Sequence, residues 1–223
     1  LEDYSPSFLD RLLRKADTKR DLLKQAIEDA IRKDDQEYES ALEDYEKALS
    51  DWQELNQLAS RIVSGDINAY IDAIKFIDPF SEISNLGSHV DFSCSDPKTV
   101  EATLYPHGED VIPRETKSLL KSGRLSVKKM PKTRFYEIYQ DYVCACILRV
   151  ARELFALLPI DMTIITAVST LLDTKTGHLE DRPIVSVAIP RNTLESLNFD
   201  YLDPSDSLAN FVHNMSFRKT KGF

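Results

Sequence analysis

Glycine and proline are missing altogether between Ser7 and Ser64. That absence excludes the usual turn chemistry over the stretch and leaves a long helix as its natural form. Cysteine is scarce, three in 223 residues, which excludes a disulfide scaffold. Cys144 and Cys146 stand two apart in a helical pattern, so they face nearly opposite ways and share neither a metal nor a disulfide. Cys94 sits in a strand pattern. All three read as small buried apolar residues of a reducing compartment, and a cytoplasmic location is expected. No apolar run approaches the roughly 20 residues that cross a bilayer, so no membrane partner is expected. The opening residues do not read as a secretory signal, and Leu1 reads as a trimmed start.

Chemical motifs are equally sparse. The sequence has no Gly-rich phosphate loop, no Gly-x-Ser-x-Gly elbow, no His-Glu-x-x-His helix and no metal-site spacing of Cys or His. No cofactor and no metal are expected. His89 and His213 stand alone and read as structural. The net charge of −9 argues against broad, non-specific attachment to nucleic acid or anionic lipid.

What the chain does have is a heptad seam. Tyr38, Ala41, Tyr45, Ala48, Trp52, Leu55, Ala59 and Ile62 step by alternating threes and fours, with Leu42, Leu49 and Val63 widening one flank. An earlier register, Leu9, Leu13, Ala16, Arg20, Leu23, Ile27 and Ala30, extends onto Asp34 and so does not join the later one in phase. The slip falls within Arg32–Glu37. It is either a stutter in one helix, roughly 85 Å long from a Ser5-Pro6 start, or the turn of a helical hairpin with Asp34 as cap and Glu37 in the capping-box position. With no Gly or Pro at the slip, the single helix is favoured. A row of Tyr, Tyr and Trp must be covered, so Tyr38, Tyr45, Trp52, Leu55 and Ile62 are the expected oligomer seam. The basic cluster Arg11, Arg14, Lys15, Lys19 and Arg20 precedes an acidic half from Glu28 to Glu54. That polarity favours antiparallel pairing.

The remainder reads as a compact α+β domain, giving two parts: a coiled-coil arm over 1–64 and a domain over 65–223. Asp66 caps a short helix over Ile67–Ile77. Val90, Phe92 and Cys94, then Val100, Ala102 and Leu104, alternate with polar residues about Asp96-Pro97, which is a β-hairpin. Glu115–Ser122 is expected to be a helix closed by Gly123, and Arg124–Lys128 an edge strand. Thr133–Leu158 carries apolar residues at helical spacing over most of its girth and is the expected core helix. Met162–Leu172 and Ile184–Ile189 are strands joined by a long loop over Asp173–Arg182. Asn192 is expected to cap a helix with Glu195 as its box partner. Asp203-Pro204 opens a last helix running through Leu208, Phe211, Val212 and Met215. The expected architecture is a long N-terminal helix or helical hairpin, then a mainly antiparallel sheet of four to five strands on a long core helix. Ile112-Pro113-Arg114 and Ile189-Pro190-Arg191 form a faint internal echo.

The strongest local signal is basic: Lys117, Lys121, Arg124, Lys128, Lys129, Lys132 and Arg134 occur with no acidic residue among them. These are the candidate anion-binding residues, for an acidic protein partner or a nucleic-acid backbone, with Tyr136 and Tyr139 placed to stack on bases. The bland alternatives are a lysine-protected edge strand or docking on the acidic arm. Asp91, Glu101, Glu109, Glu115 and Lys117 form a second, weaker constellation. Glu115-Thr116-Lys117 resembles the acidic-plus-lysine pattern of metal-dependent nucleases, which implies a hydrolase reading. The expected function is that of a self-associating binding or assembly module, more an interaction protein than an enzyme.

Overall fold

A computed structural model describes residues 16–85 and 87–223. The chain divides between Gln57 and Leu58 into two compact units. Helix α1 (Ala16–Val63) supplies all described residues of the first unit and the opening of the second. It is one continuous helix of 48 residues, so the register slip is a stutter and not a turn. Local ion pairs hold the helix through the slip: Arg32 to Asp29 at 2.7 Å and Lys33 to Glu37 at 3.5 Å, three and four residues apart. The expected helix start at Ser5-Pro6 lies outside the described residues.

Gly65, at φ +81°, ends α1 by closing back on Ile62, and Asp66 bonds back to Arg61. Asp66 then caps α2 (Ile67–Ile77), accepting from the Asn68 amide at 2.9 Å. Short α3 spans Ser81–Asn85. Strands β1 (His89–Asp96) and β2 (Thr99–Tyr105) form the expected hairpin.

The main sheet has the order β1-β2-β5-β6-β7, where β5 is Met162–Leu172, β6 Leu179–Pro190 and β7 Val212–Met215. All pairs are antiparallel except β2 with β5. A parallel pair needs a crossover, and α4 (Lys132–Leu157) lies within it. One face of the sheet is apolar: Val100, Ala102 and Leu104 on β2, Ile165 and Ala167 on β5, Val185, Val187 and Ile189 on β6. With Val143, Ile147, Val150 and Leu154 of α4, and with Tyr70 and Ile74 of α2, it forms the core. Thr163 is fully buried on that face and donates its hydroxyl to the Val100 carbonyl at 2.9 Å. Leu58 and Ile62, half-buried, pack on the same core.

Four expectations fail locally. Glu115–Ser122 is not a helix: β3 (Glu115–Leu119) pairs with β4 (Leu125–Lys129) in a separate two-stranded sheet. Gly123, at φ +77°, serves the hairpin turn, where Leu120 bonds to the Arg124 carbonyl at 2.9 Å. The Asp173–Arg182 loop is shorter than expected, because β6 begins at Leu179 and Pro183 is tolerated at a register shift opposite Val168. Asn192 is not a cap: α5 (Arg191–Glu195) starts two residues earlier than that cap would set it, with Pro190 in the cap position and no side-chain cap bond. The last helix, α6 (Pro204–Ser207), is short and passes through a 3-10 turn at Leu208–Asn210. Val212–Met215, expected to be helical, is instead the edge strand β7, because β6 offers it an open ladder. Asp203 does open α6, accepting from the amides of Ser205 and Asp206.

Candidate functional site

The first unit presents one extended apolar stripe. Tyr38 is 69% exposed, Tyr45 63% and Trp52 61%, and Leu42, Leu49 and Leu55 are also exposed. Ideal helical geometry of about 100° per residue places Leu23 and Ile27 on the same side as Tyr38 and Tyr45. The stutter therefore joins the two registers on one face, which a hairpin would have split. Acidic groups border the stripe, with Lys47 the one basic residue between Asp34 and Glu54. Ile62, the last residue of the expected seam, packs on the core of the second unit.

The second unit carries the basic cluster on the β3–β4 hairpin. Its register sets Glu115 opposite Lys129, Lys117 opposite Val127 and Leu119 opposite Leu125. Strand alternation puts those six on one face, and Thr116, Ser118, Ser126 and Lys128 on the other. Lys121 lies in the turn and Arg124 follows it. Lys132 and Arg134 lie beyond the hairpin on the first turn of α4, where Arg134 reaches Glu137 at 3.8 Å. The seven cations are all exposed, but they do not share one face. Sequence reasoning missed the apolar half of the surface: Leu119 is 76% exposed, Leu125 61%, Leu120 50% and Val127 49%. Reading Glu115–Ser122 as a helix hid the strand register that sets Leu119 opposite Leu125.

The expected stacking platform is absent from this surface. Tyr139 is buried, donates its hydroxyl to the His107 carbonyl at 3.1 Å, and meets Phe223 edge-on. Burial pushes its phenol up to about 12. Tyr136 is half-buried and covered by the C-terminal tail, where a Cβ on Gly222 would come within 2.9 Å of its ring.

The carboxylate constellation is gathered only in part. Asp91, which pairs with His89 at 2.8 Å, and Glu101, opposite Ser93, share one face of the β1–β2 hairpin, Glu109 lies in the 3-10 turn Glu109–Val111, and Glu115 and Lys117 sit on the separate hairpin. Among the described residues no three His, Cys, Asp or Glu side chains are grouped to hold a metal ion. An acidic groove of about 570 Å³ is lined by Glu137, Asp141, Asp203 and Asp206 together with Arg134 and Lys219. The Lys219 ammonium lies 2.9 Å from Glu137 and holds that carboxyl below its usual range, whereas burial raises Asp141. A second groove, also about 570 Å³, is lined by Arg149, Arg152 and Phe199. Its cations are engaged, Arg149 with Glu82 and Arg152 over the Phe199 ring at 4.4 Å. Cys144 is buried, while Cys94 and Cys146 are half-buried. Among the described residues no helix is long and apolar enough to cross a membrane.

No protein-family model, no curated protein and no solved structure matches this chain.

Proposed function

We propose that the protein is a self-associating binding module. The α1 stripe joins copies of the chain, and the β3–β4 hairpin receives an acidic, amphipathic protein partner. The observation that carries this reading is the uncovered aromatic row Tyr38, Tyr45 and Trp52 on an uninterrupted helix. Leaving that row in water forfeits on the order of 1.5–3 kcal/mol per large side chain, which a second helix recovers. On the hairpin, leucines among lysines favour a partner with apolar groups and negative charge over a bare phosphate backbone.

Light scattering across a dilution series tests the first part. The wild type is expected at a multiple of the chain mass, and Tyr45→Glu with Trp52→Glu at the mass of one chain. A wild type that remains a single chain at every concentration removes self-association. The hairpin is tested by titration with an acidic amphipathic helical peptide and with duplex DNA at low and high salt. Salt-sensitive peptide binding that Leu119→Ser with Leu125→Ser weakens supports the reading. DNA binding indifferent to those leucines assigns the surface to nucleic acid instead.

A further inference from the structure

The continuity of α1 gives the stutter a meaning. Counting from Asp34 toward the C-terminus, the seam steps four, three, four and three residues, to Tyr38, Ala41, Tyr45 and Ala48. Counting toward the N-terminus it steps four, three, four and three again, to Ala30, Ile27, Leu23 and Arg20. The spacing is a palindrome about Asp34, on a helix with no turn there.

We infer that α1 pairs with α1 of a second copy in an antiparallel two-helix coil whose two-fold axis passes at Asp34, a refinement that rests on the self-association proposed above. Two antiparallel helices meet in layers in which an a position faces a d position. About Asp34 every layer obeys that rule. Tyr38 faces Ala30 of the second copy, Tyr45 faces Leu23, Ala41 faces Ile27 and Ala48 faces Arg20. In three of the four layers a longer side chain meets a shorter one, the alternation that fills a narrow interface at native density. A parallel, in-register pair would instead set Tyr38 on Tyr38, Ala41 on Ala41 and Arg20 on Arg20, alternating crowded and empty layers.

The flanking charges agree. In the antiparallel register the g positions face each other, which brings Lys19 beside Asp51 of the second copy and Lys33 beside Glu37. The parallel register sets Lys19 beside Lys24. Asp34 meets its own counterpart at the axis. A single polar layer of this kind weakens association while fixing register.

Cysteine exchange tests the orientation in the full-length chain. Leu23→Cys and Tyr45→Cys chains are made separately, mixed and oxidised, with the wild type controlling for Cys94, Cys144 and Cys146. In the antiparallel coil, two copies of residue 45 lie about 33 Å apart along the axis at 1.5 Å per residue. That is far beyond the roughly 7 Å Cα limit of a disulfide. A cross-linked dimer is expected in the mixture and lost in either variant alone. Tyr45→Cys cross-linking with itself makes the coil parallel and overturns the inference. So does a mixture that never cross-links although scattering shows a dimer. Wild-type chains that scatter as single polypeptides overturn self-association itself, so the two failures are told apart.

Discussion

Arg191 sets the fork of one guanidinium against three carbonyls near the end of α4: Phe155 at 2.9 Å, Leu158 at 2.6 Å and Ile160 at 2.8 Å. The same group lies over the Phe155 ring at 4.7 Å. The last carbonyls of a helix have no intrahelical donor, so one side chain here completes the C-terminus of the core helix. The Arg191 side chain keeps 24% of its exposure, so water takes over part of the role when it is removed. Arg191→Ala is expected to cost about 2 kcal/mol, read as a lower urea midpoint at an unchanged slope. Arg191→Lys should recover only a small part, because an ammonium offers no planar fork. An unchanged midpoint in Arg191→Ala would remove this capping account. In the sequence, Arg191 was visible only as part of an echo with Ile112-Pro113-Arg114. The two arginines of the echo share one contact, each lying over a phenylalanine of α4: Arg191 over Phe155, and Arg114 over Phe135 at 5.0 Å near the opposite end of the helix.

Elements with a long period and a full hydrophobic payload were legible, and short ones were not. The first hairpin and the α4 core helix follow from spacing, because burial enforces their pattern; the unbroken α1 follows from the lack of Gly and Pro at its slip, and the α2 cap from the Asp66 side chain. The β3–β4 hairpin is too short to set a period, and its alternating residues are exposed on both faces, so nothing selected strand over helix. Val212–Met215 reads as a helix face until β6 supplies a partner, which is a tertiary fact. Of the candidate site, the lysines were visible and the exposed leucines beside them were not, because their meaning depends on that strand register. The hairpin also makes no part of the main sheet, so its stability is local. Gly123 has nothing within 4 Å of a built Cβ, so only its positive φ constrains the position. Gly123→Val is expected to speed amide exchange across Leu119–Leu125 while leaving the global melting temperature unchanged. A global melting shift as large as the local loss would show that the hairpin and the core unfold together.

At the scale of the whole chain, the two units are held by different forces and should come apart separately. The first unit is an amphipathic helix whose apolar face finds no cover within its own described residues, so under the self-association proposed above its helicity is expected to depend on concentration. The second has a private core, with Ile147, Leu154 and Ile165 at 0% exposure, and its unfolding is unimolecular. Trp52 is the only tryptophan of the chain and belongs to the first unit, so its fluorescence reports that unit alone. On dilution, Trp52 emission is expected to shift red and its thermal transition to fall. Amide protection along α4 should hold constant over the same range. Residue choice at the junction sharpens the test. A chain beginning at Leu58 keeps the contacts of Leu58 and Ile62 with the core and should unfold with the full stability of the second unit. One beginning at Gly65 loses both half-buried side chains and should be less stable by about 1–2 kcal/mol. Equal stability of the two truncated chains would place the end of α1 outside the domain it is built against. A single, concentration-independent transition seen by Trp52 and α4 alike would mean that one cooperative core, and not two units, holds the molecule.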